Sequence, residues 1–367
     1  MSKVCVVAAG GTGGHMFPAE ALARELAGRG WRIVLATDHR GETYAQAFPA
    51  EERIALDAAT GRGPIGMAKA GVAIARGVVK ARRALKRLDA AVVVGFGGYP
   101  SAPALLAALS QGRPTLVHEQ NAVLGRTNRW LSPRVGAVAS SFPNLHKVPS
   151  GVEARVSLIG NPVRPDIRAL FGRPYAAPTA RGPIHVLVTG GSQGARILSE
   201  TVPRALAALP APLRKRLRVQ QQSRPETLEA ARAAYQAAGI EAEVAPFFGD
   251  MARRLSETHL VIGRAGASTC SELAVAALPS LLIPLKIAMD DHQRFNAASL
   301  ADADGAEVVL EDEATVERLT AVLQALLADP ARLTAMSAGA RSAALPDATS
   351  RLADMVEAAA ARRAPPA

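Results

Sequence analysis

The sequence predicts an α/β protein built from two Rossmann-like, parallel-sheet domains. Three observations point there. Short β-branched runs alternate with helical patterns from end to end, as they do where helices cover both faces of a parallel sheet. Each half opens with the same strand, glycine loop and helix. Lys3–Ala8 runs into Gly10-Gly11-Thr12-Gly13-Gly14-His15, and His185–Thr189 runs into Gly190-Gly191-Ser192-Gln193-Gly194-Ala195. The length, 367 residues, suits two domains of about 100–200 residues each.

In the first half the expected strands are Lys3–Ala8, Arg32–Ala36, Ala91–Val94, Thr115–Val117 and Ala137–Ser140, with helices near Ala19–Arg29, Ile65–Leu88 and Ala102–Ser110. In the second half they are His185–Thr189, Arg218–Gln221, Glu243–Ala245, Leu260–Ile262, Ser280–Ile283 and Glu307–Leu310. Helices Ala195–Leu209 and Glu226–Ala238 fall between them. The boundary is expected near Gly160-Asn161-Pro162-Val163, giving domains 1–162 and 163–344. The proline-rich stretch Arg173–Pro183 reads as an exposed loop.

Composition narrows the function. Hydrophobic residues make up 49% and charged residues 20%, enough apolar material for large cores and against disorder. The formal net charge of +11 favours an anionic partner: nucleic acid, acidic lipid or a phosphorylated substrate. Two cysteines, Cys5 and Cys270, make no disulfide framework and suit a reducing compartment. The N-terminus lacks the pattern of a signal peptide. No apolar run reaches the roughly 18–20 residues of a membrane span, so any membrane contact is expected at the surface.

The chemistry sits at strand ends. Glycines between a strand and a helix let backbone approach a ligand, and the helix start offers unpaired N–H groups to an anion. Gly10–Gly14 does not have the G-x-G-x-x-G spacing, so a plain tight turn is the competing reading. His15 lies at a helix start, whose positive end favours a neutral imidazole able to accept a proton; the bland alternative is a polar first-turn residue. Phe96–Ser101 is a further glycine loop. His118-Glu119-Gln120-Asn121 reads as a site lining or a solvated loop. In the second half, Ser192 and Gln193 can donate to phosphate beside backbone N–H groups. Ala267, Ser268, Thr269, Cys270 and Ser271 open another helix, and Glu272 can grip two ribose hydroxyls or complete a capping box. Asp290-Asp291-His292-Gln293 is the last polar cluster. No metal-ligand spacing and no cofactor motif appears.

The segment Ile65–Leu88 carries Lys69, Arg76, Lys80, Arg82, Arg83, Lys86 and Arg87 with no acid, interleaved with apolar residues. Such a helix suits an anionic membrane surface. It also suits an ordinary outer helix packed on a sheet, and both readings can hold on different faces.

Taken in order, Gly10–His15, Gly97-Gly98-Tyr99, His118–Asn121, Gly160-Asn161-Pro162-Val163-Arg164, Gly190–Arg196 and Arg264–Glu272 resemble the MurG-type transferases over nearly the whole chain. The resemblance implies the GT-B architecture, two Rossmann-like domains facing a cleft. It implies an N-terminal acceptor domain against the membrane, a C-terminal UDP-GlcNAc domain, and a final segment, 345–367, packing back on the first domain. The implied reaction moves N-acetylglucosamine from UDP-GlcNAc to the C4 hydroxyl of an undecaprenyl-linked muramyl-pentapeptide (lipid I), with inversion. The place implied is the cytoplasmic face of a bacterial inner membrane. Further partners would be cell-wall synthesis proteins and not nucleic acid.

By motif match, Ser192, Gln193, Arg164 and the backbone of Phe248 contact the nucleotide. Ala267, Ser268, Thr269, Cys270 and Ser271 line the diphosphate, Glu272 takes the ribose and Gln293 reads the sugar. Thr12, Gly13, Gly14 and Asn121 close over the sugar and acceptor side. His15 is the first candidate base and Glu119 the second. Ala265 stands where a serine is common in the family. Two other readings compete: a nicotinamide-dependent oxidoreductase with Asp38 on a ribose, and a basic module that binds nucleic acid or membrane. The glycine spacing disfavours the first and the polar clusters at strand ends disfavour the second.

Overall fold

The computed structural model describes residues 3–10, 13–38, 48–56, 63–191 and 195–362, with residues 63–68 by backbone alone. The chain forms two compact units, Met1–Arg164 with Pro346–Ala367, and Pro165–Leu345. The first unit thus ends at Arg164, two residues beyond the sequence-based boundary.

In the first unit the strands are β1 (Val4–Ala8), β2 (Arg32–Thr37), β3 (Glu52–Ala55), β4 (Val92–Gly95), β5 (Thr115–Glu119), β6 (Ala137–Ser140) and β7 (Val156–Leu158), all in one sheet of order β3-β2-β1-β4-β5-β6-β7. Every pairing is parallel. The helices that cover it include α1 (Gly13–Gly28), α2 (Gly63–Arg87), α3 (Ser101–Leu109) and α4 (Arg126–Leu131). Period-two alternation along β1 feeds two cores. Val4, Val6 and Ala8 pack with Ala81, Leu85 and Leu105 on one face. Cys5, Val7 and Ala9 pack with Leu22, Ala23 and Leu26 on the other, where Leu352, Ala353 and Val356 of the C-terminal segment complete the layer.

The second unit repeats the plan. Helix α5 (Pro165–Arg168) precedes strands β8 (Ile184–Thr189), β9 (Leu217–Gln222), β10 (Glu241–Ala245), β11 (Leu260–Gly263), β12 (Ser280–Leu282) and β13 (Ala306–Val308), in parallel order β10-β9-β8-β11-β12-β13. Its helices include α6 (Arg196–Ala207), α7 (Ala211–Arg214), α8 (Leu228–Ala237), α9 (Met251–Glu257), α10 (Ala267–Val275), α11 (His292–Ala301), α12 (Val316–Leu327) and α13 (Pro330–Ser342). Val186 and Val188 pack with Leu198 and Val202 of α6, Tyr235 of α8 and Leu319 and Leu323 of α12.

The last helix, α14 (Ala348–Ala361), lies on the first unit. Arg29 donates to Asp354 at 2.5 Å and to Glu357 at 2.9 Å, and the Trp31 indole N–H donates to Glu357 at 2.9 Å. These bonds fix its register against α1.

In both sheets the strand order reverses direction beside the first strand, between β1 and β4 and between β8 and β11. Doubly wound sheets bind ligands at such switch points, beyond the carboxyl ends of the strands. The loops after β1, β4 and β8 are the glycine loops singled out in the sequence, and the one after β11 leads into the helix that begins at Ala267.

Candidate active site

In the first unit, helix α1 reaches back past Pro18 to Gly13, which puts His15 in its first turn. The loop after β4 comes up beside it. Gly97 and Gly98 have φ of +83° and +71°, and a Cβ on Gly97 would lie 3.4 Å from the His15 ring. Glycine is needed there twice over, for the left-handed backbone and for the close approach. Ser101 Oγ donates to the Gly98 carbonyl at 2.8 Å and ties the loop to α3.

Strand β5 runs two residues further than the sequence suggested and carries His118 and Glu119 into the interior. His118, Glu119 and Gln120 are all buried, so the solvated-loop reading fails. His118 Nε2 lies 3.0 Å from the Gly160 carbonyl, and its ring tilts against Phe96 with centroids 5.3 Å apart. Burial, assisted by neighbouring His15, lowers its imidazole to about 4 from the ordinary 6.5. Gln120 Nε2 lies 3.0 Å from His118 Nδ1, and Gln120 Oε1 lies 2.8 Å from His15 Nδ1.

Glu119, the second candidate base, is engaged on both carboxylate oxygens. Its Oε1 accepts from the Asn121 N–H at 3.1 Å and the Asn121 amide at 3.3 Å. Its Oε2 accepts from the Gly125 N–H at 2.9 Å and Asn128 at 2.8 Å. A buried carboxylate with four donors on it has its acceptor positions filled, and it holds the 119–128 loop in shape. Asn121 is the reader of that anchoring, half-buried at the loop's start. Gly13 is buried against Phe17, while Gly14 is exposed. Thr12 lies outside the described residues.

In the second unit β8 leads to Thr189, Gly190 and Gly191, the last with φ of +73°. Ser192 and Gln193 lie outside the described residues. Arg196 opens α6 but is paired with Glu200 at 2.7 Å. The loop after β11 ends at Gly266, an extended N-cap with φ −63° and ψ 148°, and no side chain caps α10. The capping-box alternative therefore falls. The first-turn N–H groups, those of Ala267, Ser268 and Thr269, precede the first intrahelical donor, Cys270, which bonds the Gly266 carbonyl at 2.9 Å. Ser268, Thr269 and Glu272 share a helix face by their spacing of three and four.

Cys270, read in the sequence as lining the diphosphate, turns its side chain into the interior. Its N–H is spent inside the helix, its side chain is 1% exposed, and burial raises its thiol to about 12. Ser271 is half-committed as well, its hydroxyl bonding the Ala267 carbonyl at 3.0 Å.

Three side chains to which sequence reasoning gave no role set the loops around α10. Buried Arg264 donates to the Ile283 and Pro284 carbonyls at 3.0 and 3.2 Å and to Glu311 at 2.5 Å. The other Glu311 oxygen accepts from the Lys286 N–H at 2.7 Å. Asn296 donates to the Ala265 carbonyl at 3.1 Å. Gln293 is part of this frame, since its Oε1 accepts from the Leu285 N–H at 3.0 Å. Phe248 is buried under the Arg254 guanidinium, 3.8 Å from the ring centroid. Arg254 is held in turn by Glu243 at 2.6 and 2.9 Å and by Asp250 at 2.7 Å. These contacts pull the Asp250 carboxyl down to about 2. Arg164, the last residue of the first unit, is half-buried. In the sequence Arg254 stands beside Arg253, and Glu311 beside Asp312 and Glu313, so nothing there named a partner for either.

The glycosyltransferase family 28 N-terminal domain matches residues 5–140 and its C-terminal domain matches residues 185–352. Over 359 residues the chain is 64% identical to the UDP-N-acetylglucosamine--N-acetylmuramyl-(pentapeptide) pyrophosphoryl-undecaprenol N-acetylglucosamine transferase of Caulobacter vibrioides, covering 97% of this chain and 99% of that protein. The chain belongs to the MurG-type glycosyltransferases of family 28. The like-named protein of Phenylobacterium zucineum is 59% identical over 359 residues, covering 97% and 98%. Among solved structures, the MurG of Acinetobacter baumannii superposes with a TM-score of 0.81 at 33% identity, over 97% of this chain and 99% of that one. MurG-type membership carries the two-domain GT-B class and makes the protein a glycosyltransferase. It also removes the oxidoreductase and basic-module readings. Asp38, the ribose candidate of the former, is 1% exposed, with a carboxylate oxygen 2.7 Å from where a Cβ on Gly10 would stand.

Proposed function

We propose that this chain transfers N-acetylglucosamine from UDP-N-acetylglucosamine to the C4 hydroxyl of a lipid-linked N-acetylmuramyl-pentapeptide, with inversion at the anomeric carbon. The observation that carries the reading is the end-to-end likeness, at 64% identity, to a protein named for that transfer.

The acceptor hydroxyl oxygen attacks the anomeric carbon while the bond to UDP breaks. The hydroxyl proton passes to His15 Nε2, and the electrons of the broken bond leave with the diphosphate. The first-turn N–H groups of Ala267, Ser268 and Thr269 are donors for that growing negative charge, reinforced by the helix dipole. Ser192 and Gln193 are assigned to the donor, Ser192 toward its phosphate, Glu272 to the ribose hydroxyls, the Phe248 backbone to uracil, Arg164 to the nucleotide, and Gln293 to the sugar. Thr12, Gly13, Gly14 and Asn121 are assigned to the acceptor side.

Among the described residues no helix is long and apolar enough to cross a membrane. The acceptor's lipid stays in a bilayer, so we place the chain on the cytoplasmic face of the cell membrane, held by α2. That helix turns Ala81 and Leu85 inward and leaves Val72 60% and Val79 51% exposed, among exposed Lys69, Arg76, Lys80, Arg82, Arg83 and Lys86.

Thermal-shift measurements test the donor assignment. UDP-N-acetylglucosamine is expected to raise the melting temperature more than UDP-glucose, and NAD not at all. Equal shifts with the two sugar nucleotides would count against a site that reads the acetamido sugar.

A further inference from the structure

Four groups in the first unit form one hydrogen-bonded line from the Gly160 carbonyl through His118 and Gln120 to His15. Its polarity is forced from one end. A carbonyl oxygen only accepts, so His118 Nε2 must carry the proton that fills the 3.0 Å gap to Gly160. His118 is buried, which keeps the ring neutral, so its Nδ1 holds a lone pair and needs a donor. Gln120 supplies one through Nε2, which also donates to the His118 carbonyl at 3.1 Å. The amide orientation of Gln120 is thereby fixed, and its Oε1 is turned toward His15 Nδ1 at 2.8 Å. An amide oxygen also only accepts, so His15 must carry its proton on Nδ1.

We propose that Gln120, oriented by His118, is a positioning residue that locks His15 in the Nδ1–H tautomer and leaves the lone pair on Nε2. The arrangement performs, with an uncharged amide, the task that a carboxylate performs behind the histidine of a hydrolase triad, where a wrong tautomer costs most of the activity. The uncharged partner matters. It selects the tautomer without adding a negative charge beside the site, into which an anionic donor and a pyrophosphate-linked acceptor must both come. This inference rests on the reading of His15 as the base, and its test separates the two.

The experiment uses the full chain with 15N-labelled histidine, and reads the His15 tautomer by NMR at a pH where the ring is neutral. The parent is expected to show Nδ1–H alone. Gln120→Met fills the same space without an amide and is expected to shift His15 toward Nε2–H. Its kcat should fall by roughly ten- to hundredfold, below the roughly hundred- to ten-thousandfold that general acid–base catalysis commands because part of the ring population keeps the right tautomer, while KM for UDP-N-acetylglucosamine stays within about twofold. Gln120→Glu keeps an acceptor toward His15 and should retain the Nδ1–H form, recovering part of kcat. Unchanged His15 spectra in Gln120→Met would overturn the proposal, as would, in an enzyme that His15→Ala inactivates, an unchanged kcat alongside a changed tautomer. Should His15→Ala keep full activity while Gln120→Met still alters the His15 tautomer, the base assignment falls and the tautomer lock stands. A melting temperature measured for each variant guards against misfolding, and Gln120→Glu serves as the second probe if Gln120→Met does not fold.

Discussion

Glu119 and Glu272 show how differently two carboxylates at strand ends are used. Glu119 is buried with four donors on its two oxygens. Glu119→Gln turns one acceptor into a donor facing a donor, and an unsatisfied buried pair of this kind costs about 1–3 kcal/mol. The variant is therefore expected to lose that much stability in denaturant melts. A fully stable variant whose kcat has collapsed would return Glu119 to the role of base. Glu272 stands on the same face of α10 as Ser268 and Thr269. Glu272→Ala is expected to weaken UDP binding by about 1.5–3 kcal/mol, the range for a hydrogen bond to a charged group, and calorimetry showing unchanged affinity would remove it from the site. His118 adds a pH dependence. Its folded value, about 4, lies below the ordinary 6.5 because the buried ring resists charge. The unfolded chain therefore takes up the proton first as pH falls. The contribution is harmless above about pH 6.5, and stability declines from there to about pH 4, by about 3 kcal/mol in all. Denaturant melts at pH 7 and pH 5 are expected to show the loss in the parent and a smaller one in His118→Phe. Equal losses in both would contradict the burial argument.

The elements differ in how openly the sequence announces them. β1, β4, β8 and β11 are short apolar runs followed by glycine, and buried strands of this kind read plainly. β3 and β7 were not expected at all. Both lie at sheet edges, with mostly unburied side chains, so no alternation of apolar and polar residues marks them. The apolar pattern of helix α1 was read near Ala19–Arg29, with His15 at a helix start; the helix runs from Gly13 through Pro18. Helix α2 is legible as basic and amphipathic, and the structure divides its faces, with Ala81 and Leu85 inward and the cations outward. Arg87 is spent on Glu52, so the exposed cations with no ion pair among the described residues are the ones to remove. Changing Lys80, Arg82, Arg83 and Lys86 to Gln is expected to abolish co-sedimentation with anionic vesicles at low salt, since each basic residue near such a surface is worth about 1 kcal/mol and the attraction is screened within roughly 8–10 Å at physiological salt. Vesicle binding equal to that of the parent would place the docking surface elsewhere.

On the scale of the whole chain, a duplicated strand–loop–helix opening was enough to announce two Rossmann-like units, because glycine and β-branched residues act locally. The partners of buried charges were not legible. Arg254 meets Glu243, and Arg264 meets Glu311, across separations that no periodicity describes. The line from Gly160 to His15 joins residues 145 apart in sequence through a motif whose residues were all visible but whose order of contact was not. The proposed division of labour gives the first unit the histidine that takes the proton and the second the helix start that donates N–H groups to the diphosphate. The central claim joins them in one transfer. The most direct test incubates the purified chain with UDP-N-acetylglucosamine labelled in the sugar and a soluble, short-chain analogue of the lipid-linked muramyl-pentapeptide. The expected result is one labelled disaccharide formed for each UDP released, with β configuration from the α-linked donor, and a large loss in His15→Ala. UDP release without labelled disaccharide, or a product of retained configuration, would contradict the account.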